Sequence, residues 1–223
     1  MSNIPKAVSV TPIYQGDWVT PRLPSSCAIV GDEAYLFDGW LYNREETHTN
    51  VVPVHIYNMK TNQHVRTIEI EGGHSNSAAY DGEHENFWIV PTLNYEAGES
   101  AYYLYKYNKG FTKGTKVLTP TFNANGISYD WVTHKLYALA GTHKIYLIEE
   151  DENGENTITQ ITNQIQIPRI DIVFNQDFCV WNNRFYISTP DGIVASGMLT
   201  ENPVVDSWYC IDSIDQSGRW KLG

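Results

Sequence analysis

Apolar and polar positions alternate with a period of two along most of the chain, and helical periodicity sustained over a dozen residues is absent. Four segments share a polar turn, a short strand, a tight loop and a second strand with an aromatic at its centre. They run from Ser25 to Gly39, His74 to Pro91, Asn123 to Ala140 and Asn175 to Thr189. Their central aromatics, Tyr35, Trp88, Tyr137 and Tyr186, are spaced by 53, 49 and 49 residues. That period is close to a four-stranded propeller blade and too long for a leucine-rich or ankyrin unit. The repeats continue with a third and a fourth strand: Val54–Tyr57 then Val65–Ile70, Tyr102–Tyr107 then Lys116–Leu118, and Lys144–Ile148 then Thr157–Ile161. Asp81-Gly82, Lys109-Gly110, Asn153-Gly154 and Asp191-Gly192 supply turn chemistry, because such dipeptides accept positive φ or tight reversals.

A blade cannot bury both faces of its twisted sheet alone, so blades stack around an axis and share cores. The pattern therefore predicts an all-β protein, a β-propeller of four blades, each a four-stranded antiparallel sheet. Five blades is the alternative, with an abbreviated fifth drawn jointly from residues 1–24 and the tail Arg219-Trp220-Lys221-Leu222. Residues 25–223 form the propeller, with repeats starting near 25, 74, 123 and 175. Residues 1–24 form an N-terminal segment whose strand-like Ala7-Val8-Ser9-Val10 closes the ring against the last blade, beside Trp208-Tyr209-Cys210-Ile211.

Composition narrows the partners. Fifteen Lys and Arg against 26 Asp and Glu give the 223 residues a net charge of −11, so nucleic acid and anionic membranes are repelled on average. The N-terminal residues lack the apolar run of a signal peptide, and no stretch approaches the length of a spanning helix. Cys27, Cys179 and Cys210 are odd in number and far apart, which suggests neither a disulfide framework nor a zinc knuckle. Cys27 and Cys179 fall on innermost strands, and the expectation is that both are buried near the axis and unbridged.

In a propeller the loops entering the innermost strands ring one mouth of the axial channel, so equivalent positions converge there. Here they carry Ser25-Ser26, His74-Ser75-Asn76, Asn123-Ala124-Asn125 and Asn175-Gln176-Asp177. Amides offer donor and acceptor together, which suits a neutral polar ligand such as a sugar. The candidate ligand-binding set is His74, Asn76, Asn123, Asn125, Asn175 and Gln176. The competing reading is that these side chains cap their own turns. No metal or other cofactor is expected. His74 with amides makes an incomplete site, and the acidic run Glu149 to Asn156 lacks the calcium-loop register and reads as a hairpin tip. Paired carboxylates for glycoside cleavage should come from separate blades, yet Asp171 and Asp177 both belong to the last repeat. Without a nucleophile elbow, a His-Glu-x-x-His or a phosphate loop, the chain reads as non-enzymatic. Lys106, Lys109, Lys113 and Lys116 share one hairpin and read as a solvated blade edge.

The phrases His74-Ser-Asn-Ser-Ala-Ala-Tyr-Asp81 and Asn123-Ala-Asn-Gly-Ile-Ser-Tyr-Asp130 are each followed by Phe-Trp-Ile or Leu-Tyr-Ala. This pattern resembles the blade motif of propeller domains in tailed-bacteriophage tail proteins, over roughly residues 25–200. The third repeat has Asn123 where the second has His74, the fourth has Phe174, and the first lacks the motif, so a ligand shell carried over is incomplete. The resemblance implies a receptor-binding module for a bacterial surface glycan or wall polymer, resident in the virion and assembled in the host cytoplasm. Alternatives are a structural protein that docks another virion component or a second copy of itself, and a carbohydrate-active or lactonase-like enzyme.

Overall fold

The computed structural model describes residues 6–9, 24–39, 50–91, 93–94, 99–100, 102–119, 122–141, 144–166, 178–188 and 193–212. Every regular element among them is a strand. After β1 (Lys6–Ser9), the first blade comprises β2 (Pro24–Val30), β3 (Glu33–Asp38), β4 (Val51–Asn58) and β5 (Gln63–Glu71). The second has β6 (Ser77–Asp81), β7 (Asn86–Val90), β10 (Tyr103–Asn108) and β11 (Gly114–Leu118), with a small hairpin, β8 (Leu93–Asn94) and β9 (Glu99–Ser100), inserted in its middle connection. The third blade has β12 (Ala124–Asp130), β13 (Lys135–Ala140), β14 (Lys144–Glu150) and β15 (Asn156–Gln160). The fourth has β16 (Phe178–Trp181), β17 (Arg184–Ser188), β18 (Ile193–Met198) and β19 (Ser207–Asp212).

Each blade is an antiparallel meander. The N-terminal strand β1 adds to the outer edge of the fourth, pairing parallel with β19 in the register Ala7↔Cys210. The chain thus leaves the outer edge of the last blade and goes on to the inner strand of the first, as it passes from outer to inner strand at every other blade junction. The first strands of the blades pack in the order β2, β6, β12, β16.

Strand alternation sends successive side chains to opposite blade faces, which assembles three inter-blade cores from the described residues. Phe87 and Ile89 point toward the first blade, joining Tyr35, Phe37 and Val54, while Trp88 and Val90 point toward the third. The first core is aromatic: Phe87 stacks on Phe111 at 4.6 Å between centroids and meets Tyr35 at 4.6 Å and Tyr80 at 4.9 Å.

The described turn dipeptides sit at tight reversals between strands as expected, and one local expectation needs correction. Of the described turn dipeptides, only Asn153-Gly154 puts a positive φ on its glycine; in the other two turns Glu85 and Phe111 take it. Gly82 is small for another reason, since an added Cβ would lie 2.4 Å from the indole of Trp131. Lys106 does not belong to a solvated edge. Its ammonium lies 2.5 Å from Glu150 Oε2 of the next blade, and both side chains are only 13% exposed. The strand's alternation turns Lys106 inward while Lys109 and Lys116 stay exposed beside Glu85 and Glu71.

Asp130, fully buried at the end of β12, fastens two turns at once. Its carboxylate accepts from the Val132 N–H and the Thr133 hydroxyl of its own turn, and from the Asn182 and Asn183 N–H groups of the fourth blade. Burial alone would raise its pKa, but these hydrogen bonds outweigh it and hold the group below the ordinary carboxylate range. A depressed pKa stabilises the fold fully above the unfolded value of about 3.9, and that contribution is lost as pH falls through the lower folded value. Asp130→Asn should therefore cost about 2 kcal/mol at neutral pH. In urea melts the gap to the parent protein should narrow as the pH is taken below about 3.9.

Candidate functional site at the axial mouth

The segment entering β6 is tied down by its backbone. The His74 and Asn76 N–H groups donate to the Pro91 and Val90 carbonyls, and Ser75 between them adopts a positive φ of 48°. The twist turns the Ser75 carbonyl toward the first blade, where it accepts the Ser26 hydroxyl at 2.7 Å. His74 packs beside Ser25 and Gly39; an added Cβ on Gly39 would lie 2.3 Å from Ser25 Oγ and 3.0 Å from His74 Nδ1, so a larger residue there would have to displace those side chains. Burial lowers the His74 pKa, which leaves the ring neutral at pH 7.

One junction further round, the Asn76 amide donates to the Asn125 carbonyl at 2.7 Å, and the Asn125 amide donates to the Gly141 carbonyl at 2.8 Å. The structure thus brings together Ser25, Ser26 and His74 at one seam and Asn76 and Asn125 at the next. Both amide donors are engaged in holding backbone. Asn123 differs, because its Oδ1 is buried without a hydrogen-bond partner among the described residues. Asn175 and Gln176, together with Asp171 and Asp177, lie outside the described residues.

Beyond the mouth the inner strands line a cleft of about 230 Å³ that includes Cys27, Ala79, Ile127, Trp131 and Cys179. Cys27 and Cys179 both reach the axis and neither forms a disulfide, but both are exposed, against the expectation of burial. Alternation explains it. Ala28 turns into the core with the second blade and Phe178 and Val180 into the core with the third, so Cys27 and Cys179 face the opposite way. The exposed Ile29 and Trp181 share those faces, and Trp131 projects from the neighbouring turn. Sequence spacing located these residues at the axis but carried no signal for which face would be covered.

Four meander sheets around a shared cleft, each offering its first strand to the axis, decide the architecture. The chain is a β-propeller. The crystal structure of Myxococcus xanthus glutaminyl cyclase superposes on this propeller with a TM-score of 0.63 at 10% identity, over 96% of this chain and 82% of that one. The nidogen/laminin complex also contains a match, with a TM-score of 0.52 at 10% identity, covering 84% of this chain and 80% of the other. At such identity the likeness shows the propeller fold alone. No family model matches the chain, nor does any curated protein sequence.

The exposed thiols give a direct check on the placement of the inner strands. A maleimide should label Cys27 and Cys179 of the native propeller within minutes, both sites being found by peptide mapping. Labelling that waits for denaturant would place the two side chains on the covered blade faces instead.

Proposed function

We propose that this propeller is a non-enzymatic recognition module of a tailed-bacteriophage tail, binding a glycan or wall polymer of the bacterial surface at the axial mouth. The blade motif supports the phage assignment. One observation carries the ligand class: the Asn123 amide oxygen is buried at the mouth without a partner among the described residues, where the hydroxyl of a polar ligand would satisfy it. Burial keeps the His74 ring neutral, so it brings no charge to the mouth, which suits an uncharged sugar face. Virion residence, and an absence of catalysis, belong to this same proposal.

The exposed Ile29, Trp131, Val132 and Trp181 favour a second reading, in which the propeller docks another virion protein. Large apolar side chains left in water at one end of the axis are characteristic of protein contacts.

Paired measurements on two variants test the first reading. Asn76→Ala removes a donor from the seam between the second and third blades and should destabilise the fold by about 1 kcal/mol. Asn123→Ala removes an unpaired acceptor, so its melting temperature should hold, while binding to host cell-wall preparations weakens by about 1 to 3 kcal/mol. Unchanged wall binding by a folded Asn123→Ala protein would remove the mouth as the receptor site. Loss of incorporation into virions by Trp131→Ser and Trp181→Ser would then favour docking.

A further inference from the structure

At the end of β12 opposite Asn123, the second and third blades part to leave a groove of about 340 Å³. Leu136 and Ile148 form its apolar floor with Trp88, which is 1% exposed. The Trp88 indole N–H is buried and has no hydrogen-bond partner among the described residues. The Lys106 ammonium lies 5.4 Å from the Trp88 ring centroid and 2.5 Å from Glu150, so that cation is already neutralised. Two further polar pairs line the walls. His84 Nδ1 lies 2.7 Å from Asp81 Oδ2, and His134 Nδ1 lies 3.2 Å from the Tyr129 hydroxyl. Glu83 and Glu149 stand exposed at the rim, and neither holds an ion pair among the described residues. Lys135 is the one rim cation of the groove outside such a pair among those residues.

These features specify a ligand by its chemistry. The buried indole requires an acceptor oxygen at the floor, since an unmet N–H in an apolar setting is costly. Leu136 and Ile148 suit a C–H face. Two carboxylates against one lysine, in a chain of net charge −11, favour a cation. An ammonium next to a hydroxyl or ring oxygen on a flat apolar ring satisfies all three. A lysine side chain supplies the ammonium but no acceptor beside it, and a phosphate or sulfate is repelled.

We infer that this groove is a second binding site, for a glycan that carries free amino groups, such as a de-N-acetylated amino-sugar polymer. The inference rests on the glycan reading above and narrows it. In the complex the Trp88 N–H donates to a sugar oxygen, and the ammonium sits between Glu83 and Glu149.

The test uses a glucosamine hexamer and its fully N-acetylated counterpart, each titrated into the whole ¹⁵N-labelled protein. The free-amine oligomer should shift the Trp88 indole resonance, assigned through its absence in Trp88→Phe or, should that variant not fold, by sequential assignment. Glu83→Gln and Glu149→Gln should each weaken this binding about tenfold, as expected for one lost charge-assisted contact, and added salt should weaken it further. Equal binding of the acetylated oligomer, an unmoved Trp88 resonance, or full affinity in both glutamine variants would overturn the groove. Wall binding that survives both glutamine substitutions but fails in Asn123→Ala overturns the groove alone, and wall binding unchanged in Asn123→Ala overturns the mouth alone.

Discussion

The first strand of every blade has a free edge, and the fold depends on how those edges are satisfied. Neighbouring inner strands converge on the axis without forming a backbone ladder, so N–H and C=O groups on each edge need partners from elsewhere. The preceding blade supplies them through short polar side chains. Ser77 Oγ accepts from the Ile127 N–H at 3.1 Å, Ser128 Oγ accepts from the Val180 N–H at 2.9 Å, and Asp130 accepts from Asn182 and Asn183. The carbonyls of Ser75 and Asn125 are met in the same direction, by Ser26 and Asn76. Each bond links residues one repeat apart, so the sequence period becomes a physical period of blade-to-blade fastening. A serine or asparagine at these positions is small enough for close approach and polar enough to cap an edge; a larger apolar residue would leave the backbone unpaired.

This constraint shapes what the axial mouth can do. Polar side chains concentrate there because backbone edges need them, so their abundance is not in itself a sign of a ligand. The informative groups are those left over once the edges are served. Asn76 and Asn125 spend their donors on carbonyls, whereas the Asn123 oxygen has nothing to accept among the described residues. The same accounting applies to the groove between the second and third blades. Asp81 is occupied by the Glu83 and His84 N–H groups of its own turn, and Lys106 by Glu150, whereas the Trp88 N–H has no partner among the described residues.

The blade period was legible because an aromatic recurs at the second strand, and Tyr35, Trp88 and Tyr137 are all buried there for the same packing reason. Third and fourth strands were legible from alternation, and β4, β10 and β14 lie where it put them. Burial of individual side chains was not. Cys27 and Cys179 sit one step apart in register, and the face each one presents depends on how its strand is turned toward the neighbouring blade. Lys106 read as part of a solvated edge for a related reason: its partner Glu150 is 44 residues away, at the end of a strand that read as the approach to an acidic hairpin. The turns lie where these dipeptides put them, but the reason for a glycine was not always local. Glycine in a Asp-Gly pair signals permissive backbone, but Gly82 is required by the close approach of Trp131, a contact between blades with no local trace.

Ring closure sets the remaining asymmetry. Three seams hold an apolar core among the described residues, and at the fourth, between the last blade and the first, the described faces carry the exposed Cys27, Ile29, Cys179 and Trp181. The tie across the ends of the chain is the parallel pairing of β1 with β19, which joins residues such as Lys6 and Tyr209. Loop entropy grows only logarithmically with length, so closing a span of this size costs little more than closing one blade. The parallel ladder of four residue pairs, from Lys6↔Tyr209 to Ser9↔Asp212, offsets that cost. Both candidate sites lie at filled seams: the Asn123 end opens on the third blade, and the Trp88 groove runs along the seam that the third blade shares with the second.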